Sequence, residues 1–349
     1  MAQIHLIHLL SLLTFFSLST AARFPAVIVF GDSTVDPGNN NAIDTILRSN
    51  FPPYGRDFKN AVPTGRFSNG KLPTDFISEA LGLQPLVPAY LDPACSIENF
   101  TKGVAFASSG AGLDNATSNL LTAMSLGEEV EYFKEYQHKL RKYVGKSRAN
   151  YIVNEAVYIV SIGTNDFLSN YFTMFTGRFL QFTVDKFEDF LVSHAAEFLT
   201  NIYKLGARKI LFAGLSPIGC LPVERSTNLI REGQCKTMFN EVARNFNAKL
   251  QRMIADLGIK FPGLRLIYGG VYDLFSEIIN NPSRYGIENV EDGCCATGKF
   301  EVAFLCDSRH PLTCRDASKY LFWDAFHPTE KTNYLIGDVT LHLILRELI

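Results

Sequence analysis

Short apolar runs alternate with longer amphipathic stretches along most of the chain. The runs are AVIVF (26–30), GVAFAS (103–108), AVYIVSIG (156–163), KILFAG (209–214) and LRLIY (264–268). Each is rich in Val, Ile, Leu or Phe and bounded by Gly or turn residues, the pattern of strands buried on both faces. Between them, Phe187, Phe190, Leu191, Phe198, Leu199, Ile202 and Leu205 recur at three- and four-residue spacing and stop at Gly206, which predicts an amphipathic helix with a glycine terminator. Residues 126–144 and 235–257 behave similarly, and a last helix opens at Thr329 directly after Pro328. This alternation predicts an α/β fold, a three-layer α/β/α sandwich around a mainly parallel five-stranded sheet. In such a sheet, ligands bind at the carboxyl ends of the strands. No repeat, linker or compositional break divides the chain, so a single domain over 23–349 is expected.

The first residues, MAQIHLIHLLSLLTFFSLSTAA (1–22), form an uncharged apolar run that ends on small residues before Arg23. That is the pattern of a secretory signal peptide, which implies an extracellular protein, with the vacuole as a second destination. No later run reaches the roughly 18–20 continuous apolar residues of a membrane span, so no stable membrane insertion is expected. Secretion makes disulfides the default reading of the seven cysteines, with at least one thiol left over and the connectivity open. Without a C-x-x-C pair, no metal site is expected. Asn99-Phe-Thr and Asn115-Ala-Thr are glycosylation sequons. A net charge of −2 from 33 basic and 35 acidic residues, without long runs of either sign, excludes nucleic acid as a partner. Oligomeric state is not legible.

Candidate chemistry begins at Gly31-Asp32-Ser33, where the first apolar run ends. A serine at the carboxyl end of a strand, followed by a helix N-terminus whose N–H groups face its hydroxyl, is well placed as a nucleophile; the competing reading is a helix cap. A serine needs a base, and the base an orienting acid. Of the histidines after residue 22, His138, His194 and His342 fall within helical patterns. His310 and His327 each follow an Asp by three residues, Asp307 and Asp324. The first pair lies among cysteines, while the second sits in a loop before Pro328 and the last helix, which favours Asp324 and His327. Oxyanion donors are sought at two other strand ends: the backbone N–H of Gly110 in FASSGAG and the side-chain amide of Asn165 in SIGTNDF. The tail DPGNNN (36–41) reads as a rim loop whose Asx turns hold the nucleophile's backbone.

Taken in order, FGDSTVDPGNNN, GVAFASSGAG, SIGTNDF, GLSPIGCLP, CCATG and DAFHP resemble the plant branch of the GDSL esterase/lipase family, also called SGNH hydrolases. The resemblance covers nearly all of the chain after residue 22. It implies a flavodoxin-like SGNH fold, Ser33 as nucleophile and first oxyanion donor, Gly110 and Asn165 as the other donors, His327 as general base and Asp324 as its orienter. Two departures stand out: Ala105 and Ser109 replace the Asn and first Gly of the usual NFASGG, and Thr34 stands where Leu or Ile is frequent, a change expected to affect only rim packing. The activity implied is hydrolysis of carboxylic esters through an acyl-enzyme, without cofactor or metal. It should fall below about pH 6 to 7 as the histidine protonates. Alternatives are an acyltransferase or polysaccharide O-acetylesterase using the same residues, or a secreted glycoprotein without turnover.

Overall fold

The computed structural model describes residues 24–173 and 177–349, so the signal peptide expected at 1–22 lies outside the described residues. At the centre is a five-stranded sheet of β1 (Val27–Gly31), β2 (Gly103–Ala105), β3 (Val157–Ser161), β4 (Lys209–Ala213) and β5 (Arg265–Gly269), in the order β2-β1-β3-β4-β5 with every pairing parallel. Each apolar run of the sequence became one strand, shifted or shortened by a few residues at its ends.

Helices cover both faces. In chain order they are α1 (Pro73–Ala80), α2 (Asn115–Leu120), α3 (Leu126–Val144), α4 (Lys146–Glu155), α5 (Arg178–Gln181), α6 (Val184–Lys204), α7 (Pro222–Ser226), α8 (Thr237–Lys260), α9 (Val271–Asn280) and α10 (Glu330–Glu347). Strand alternation sorts the core into two layers. Ile28, Phe30, Val104, Tyr158, Val160, Ile210 and Phe212 pack against α3, α4, α6 and α8 through residues such as Phe133, Ile152, Leu191 and Phe246. Val27, Val29, Ala105, Val157, Ile159 and Leu211 face α1 and α10 through Ile77, Leu81, Ile344 and Leu348. Phe30 stacks on Phe106 and meets Phe133 and Phe198 edge-on, so β1, which carries Ser33 at its end, is held at the middle of the larger core.

The expected helix at 126–144 has those bounds, closed at its start by the Ser125/Glu128 capping box and at its end by Gly145. Thr329 caps α10, its hydroxyl accepting the Thr332 N–H. A short parallel pair, β6 (Asn289–Gly293) with β7 (Tyr320–Phe322), was not legible: NVEDG and YLF lack both length and alternation. Disulfides cross the segment that joins the two strands. Cys294–Cys314 and Cys295–Cys306 stitch the loop between the two strands, Cys220–Cys235 closes a third loop, and Cys95 is free. Among the described residues no helix is long and apolar enough to cross a membrane.

Candidate active site

The residues singled out around Ser33 converge on one apolar pocket of about 300 Å³ at the carboxyl end of the sheet. Ser33 follows β1 by way of Gly31, whose φ of +141° and closeness to β3 admit no side chain: a Cβ there would lie 2.0 Å from the Ser161 carbonyl oxygen. The helix expected to follow Ser33 is absent. Asp32 forms an Asx turn instead, accepting the Thr34 N–H at 3.0 Å, and the chain turns away. Thr34 is more than rim packing. Its hydroxyl donates to Asp32 at 2.7 Å and meets the Ser161 hydroxyl at 2.8 Å, tying the turn to β3.

His327 enters from the loop between β7 and α10, which Trp323 closes by donating its N–H to the His327 carbonyl at 2.7 Å. The imidazole Nε2 lies 2.8 Å from Ser33 Oγ and Nδ1 lies 2.8 Å from both oxygens of Asp324. An ionised carboxylate accepts only, so Nδ1 carries the proton and Nε2 is left to accept from the serine. Asp324 is fully buried, and its oxygens also accept the Phe326 and His327 N–H groups at 2.9 and 2.7 Å. Phe67 stacks obliquely on the imidazole at 4.8 Å. The rival pair stands apart: Asp307 is engaged by Arg309, which holds its carboxyl down at about 2, in an exposed loop stitched by the disulfides.

On the other side of Ser33 the pocket is lined by Gly110 and Asn165. Gly110 has a φ of +93°, and a Cβ there would lie 2.6 Å from Leu47. The N–H groups of Ser33 and Gly110 make no hydrogen bond within the described residues, and both belong to the pocket wall. Asn165 donates one amide hydrogen to the Ala111 carbonyl at 2.9 Å, which leaves its second for a ligand. The following Asp166 is buried and pins the loop behind, accepting from Leu113 N, Asp114 N and Thr117 Oγ1 at 2.7–2.9 Å. Burial pushes its carboxyl up to about 7 against these donors. The folded value thus exceeds the ordinary one, so its share of stability is full below about pH 4 and is lost as pH rises through 7. The Tm should therefore fall from pH 5 to pH 8, with a shallower fall in Asp166→Asn; equal slopes in calorimetry would contradict this.

Sequence reasoning missed Tyr54. Its fully buried ring packs between Phe67 and Trp323, and its hydroxyl donates to Asp324 at 2.8 Å while accepting the Ala303 N–H at 2.9 Å. FPPYG carries no periodic or catalytic signal, so only the fold could reveal this contact. A hydrogen bond to a charged group contributes about 1.5–3 kcal/mol. Tyr54→Phe should therefore lower kcat by about tenfold, and a steady-state assay showing no loss would contradict the contact's importance. The DPGNNN loop also differs from its expected role: its side chains bind mainly the turn before Gly110, not the backbone of Ser33.

Both sequon asparagines are exposed, Asn99 in a 3₁₀ turn and Asn115 at the start of α2. Among the described residues no cluster of His, Cys, Asp or Glu is arranged to hold a metal ion.

A family model described as GDSL-like Lipase/Acylhydrolase matches residues 27–339. Three Arabidopsis thaliana proteins named GDSL esterase/lipase are similar over most of their length. One is 54% identical, covering 92% of each chain; a second is 49% identical over 97% of each. A third is 52% identical over 91% of this chain and 90% of its own.

Proposed function

The chain belongs to the GDSL-like lipase/acylhydrolase family, and from that premise we propose that it hydrolyses carboxylic esters through an acyl-enzyme on Ser33. The observation that carries this reading is the continuous path from Asp324 through His327 Nδ1 and Nε2 to Ser33 Oγ, each step 2.8 Å. Ser33 Oγ attacks the ester carbonyl while Nε2 takes its proton. Negative charge develops on the former carbonyl oxygen, facing the Ser33 and Gly110 N–H groups and the Asn165 amide. The imidazolium, stabilised by Asp324, returns the proton to the departing alcohol. Water then enters along the same line and gives a proton to His327 as its oxygen attacks the acyl carbonyl; the bond to Ser33 Oγ breaks as the imidazolium returns that proton to the serine, and the acid is released.

The lining favours an ester with an apolar limb. Val35, Ile77, Ile159, Leu211 and Ile336 form the wall between the sheet and the helices α1 and α10. Each buried methylene contributes about 0.8 kcal/mol, close to fourfold in kcat/KM. A chain-length series of p-nitrophenyl esters should therefore rise from acetate until the pocket is filled. Flat kcat/KM across the series would point to a small acyl group, as in polysaccharide O-acetyl esters.

Competing acceptor alcohols in the same assay separate hydrolysis from acyl transfer. Labelling by a fluorophosphonate, abolished in Ser33→Ala, separates an enzyme from a non-catalytic glycoprotein. The leader pattern, the sequons at Asn99 and Asn115 and the three disulfides support a secreted glycoprotein, extracellular or vacuolar. Retention of a full-length fusion inside the cytosol would overturn that.

A further inference from the structure

The loop after the nucleophile holds three buried polar side chains, Asp36, Asn39 and Asn40, each of which bonds to the segment 105–109. Asn39 donates from Nδ2 to the carbonyls of Ala105 and Ala107 at 2.9 and 2.8 Å, and its Oδ1 accepts the Leu91 N–H at 3.0 Å. Asp36 uses one oxygen to close its own turn on the N–H groups of Gly38 and Asn39, and the other to accept the Ser109 N–H at 3.0 Å. Asn40 grips Ser109 at both ends. Its Oδ1 accepts the Ser109 N–H at 3.1 Å and the Ser108 hydroxyl at 2.6 Å, while its Nδ2 donates to the Ser109 carbonyl at 2.9 Å and to that of Leu47 at 2.9 Å.

The Ser109 carbonyl and the Gly110 N–H belong to one planar peptide unit and point in opposite directions across it. A donor fixed on that oxygen therefore sets the direction of that N–H, which has no partner of its own. It also polarises the amide, which strengthens the N–H as a donor. Such a device has a purpose here: Gly110, at a φ of +93°, is the most permissive residue in its turn, and the flanking Ser109 stands where the family's usual pattern has glycine.

We propose that Asn40, seated by Ser108 and Asp36, is a positioning residue for the oxyanion hole, aiming the Gly110 N–H at the charge that develops on the substrate. The inference rests on Ser33 being the nucleophile and Gly110 a donor. Asn40 does not line the pocket; it acts through one peptide plane. Its effect is larger in the transition state, because the ground-state carbonyl makes a weaker hydrogen bond.

The test uses the full chain after signal removal, with a p-nitrophenyl ester as substrate and a trifluoromethyl ketone as tetrahedral analogue. Asn40→Ala should lower kcat by about 10- to 100-fold with KM changed less than about threefold, as expected for a misaimed donor. Affinity for the ketone should fall by the same factor as kcat/KM. Ser108→Ala, a smaller truncation that serves where Asn40→Ala does not fold and that also gives up the Met124 N–H bond, should lose about five- to tenfold in kcat with the same correlation, since Asn40 keeps its other bonds. The proposal is overturned if either folded variant keeps kcat/KM within about twofold, or if kcat falls while ketone affinity stays at the wild-type value. A scaffold role alone would lower Tm and leave both unchanged. Failure here with Ser33→Ala inactive refutes only the positioning role, whereas an active Ser33→Ala refutes the reading beneath it.

Discussion

Ser33→Ala is expected to abolish measurable ester turnover, lowering kcat by about 10⁴- to 10⁶-fold, the range found when a hydroxyl nucleophile is removed from such a constellation. The change deletes one oxygen that contacts His327 at 2.8 Å and leaves Asp324, Tyr54 and the buried β1 untouched. Thermal stability should stay within a few degrees of wild type, and substrate should still bind in the apolar pocket. A stopped assay with an activated ester, run beside calorimetry, checks both. Loss of activity together with loss of fold would not match this geometry.

Asp324→Asn should be nearly as damaging, about 10⁴-fold in kcat. The amide nitrogen of Asn would face Nδ1 as a donor and turn the proton onto Nε2, so that the ring could no longer accept from Ser33. The buried acceptor for Tyr54 and for the His327 N–H would weaken as well. Asp307→Asn is the control. That residue lies in an exposed loop held by Arg309, and its removal should change kcat by less than about twofold. Equal effects at 307 and 324 would refute the assignment of the acid.

The parts of this molecule that follow from periodicity were legible before any coordinate. Strands buried on both faces leave uninterrupted apolar runs, and α3 and α6 leave a stripe, so the sheet and its covering layers could be read from residues such as Phe30, Val160, Phe133 and Leu191. The proposed triad was legible because its members sit where strands and helices end, at Ser33 and before Thr329, and because the blocks around them resemble those of the family in order. What escaped was long-range pairing of single polar residues. Tyr54 meets Asp324 across 270 positions, and Asn40 meets Ser108 and Ser109 across nearly 70. Neither contact leaves a pattern within its own segment. Thr34 misled for the same reason: as a substitution for Leu or Ile it looked like surface packing, yet its partner is Ser161 on the neighbouring strand. The turn after Ser33 took the place of a helix because Asp32 and Asp36 cap backbone N–H groups within two or three residues, which competes with helix formation.

The most direct test of an acyl-enzyme on Ser33 is mass spectrometry of the protein quenched during turnover of a slowly deacylating activated ester. The expected result is a mass increase equal to one acyl group less a hydrogen, located by digestion to the peptide that contains Ser33 and lost on hydroxylamine treatment. An acyl group on a residue other than Ser33, or steady turnover with no adduct on Ser33 under conditions where deacylation limits the rate, would contradict the account.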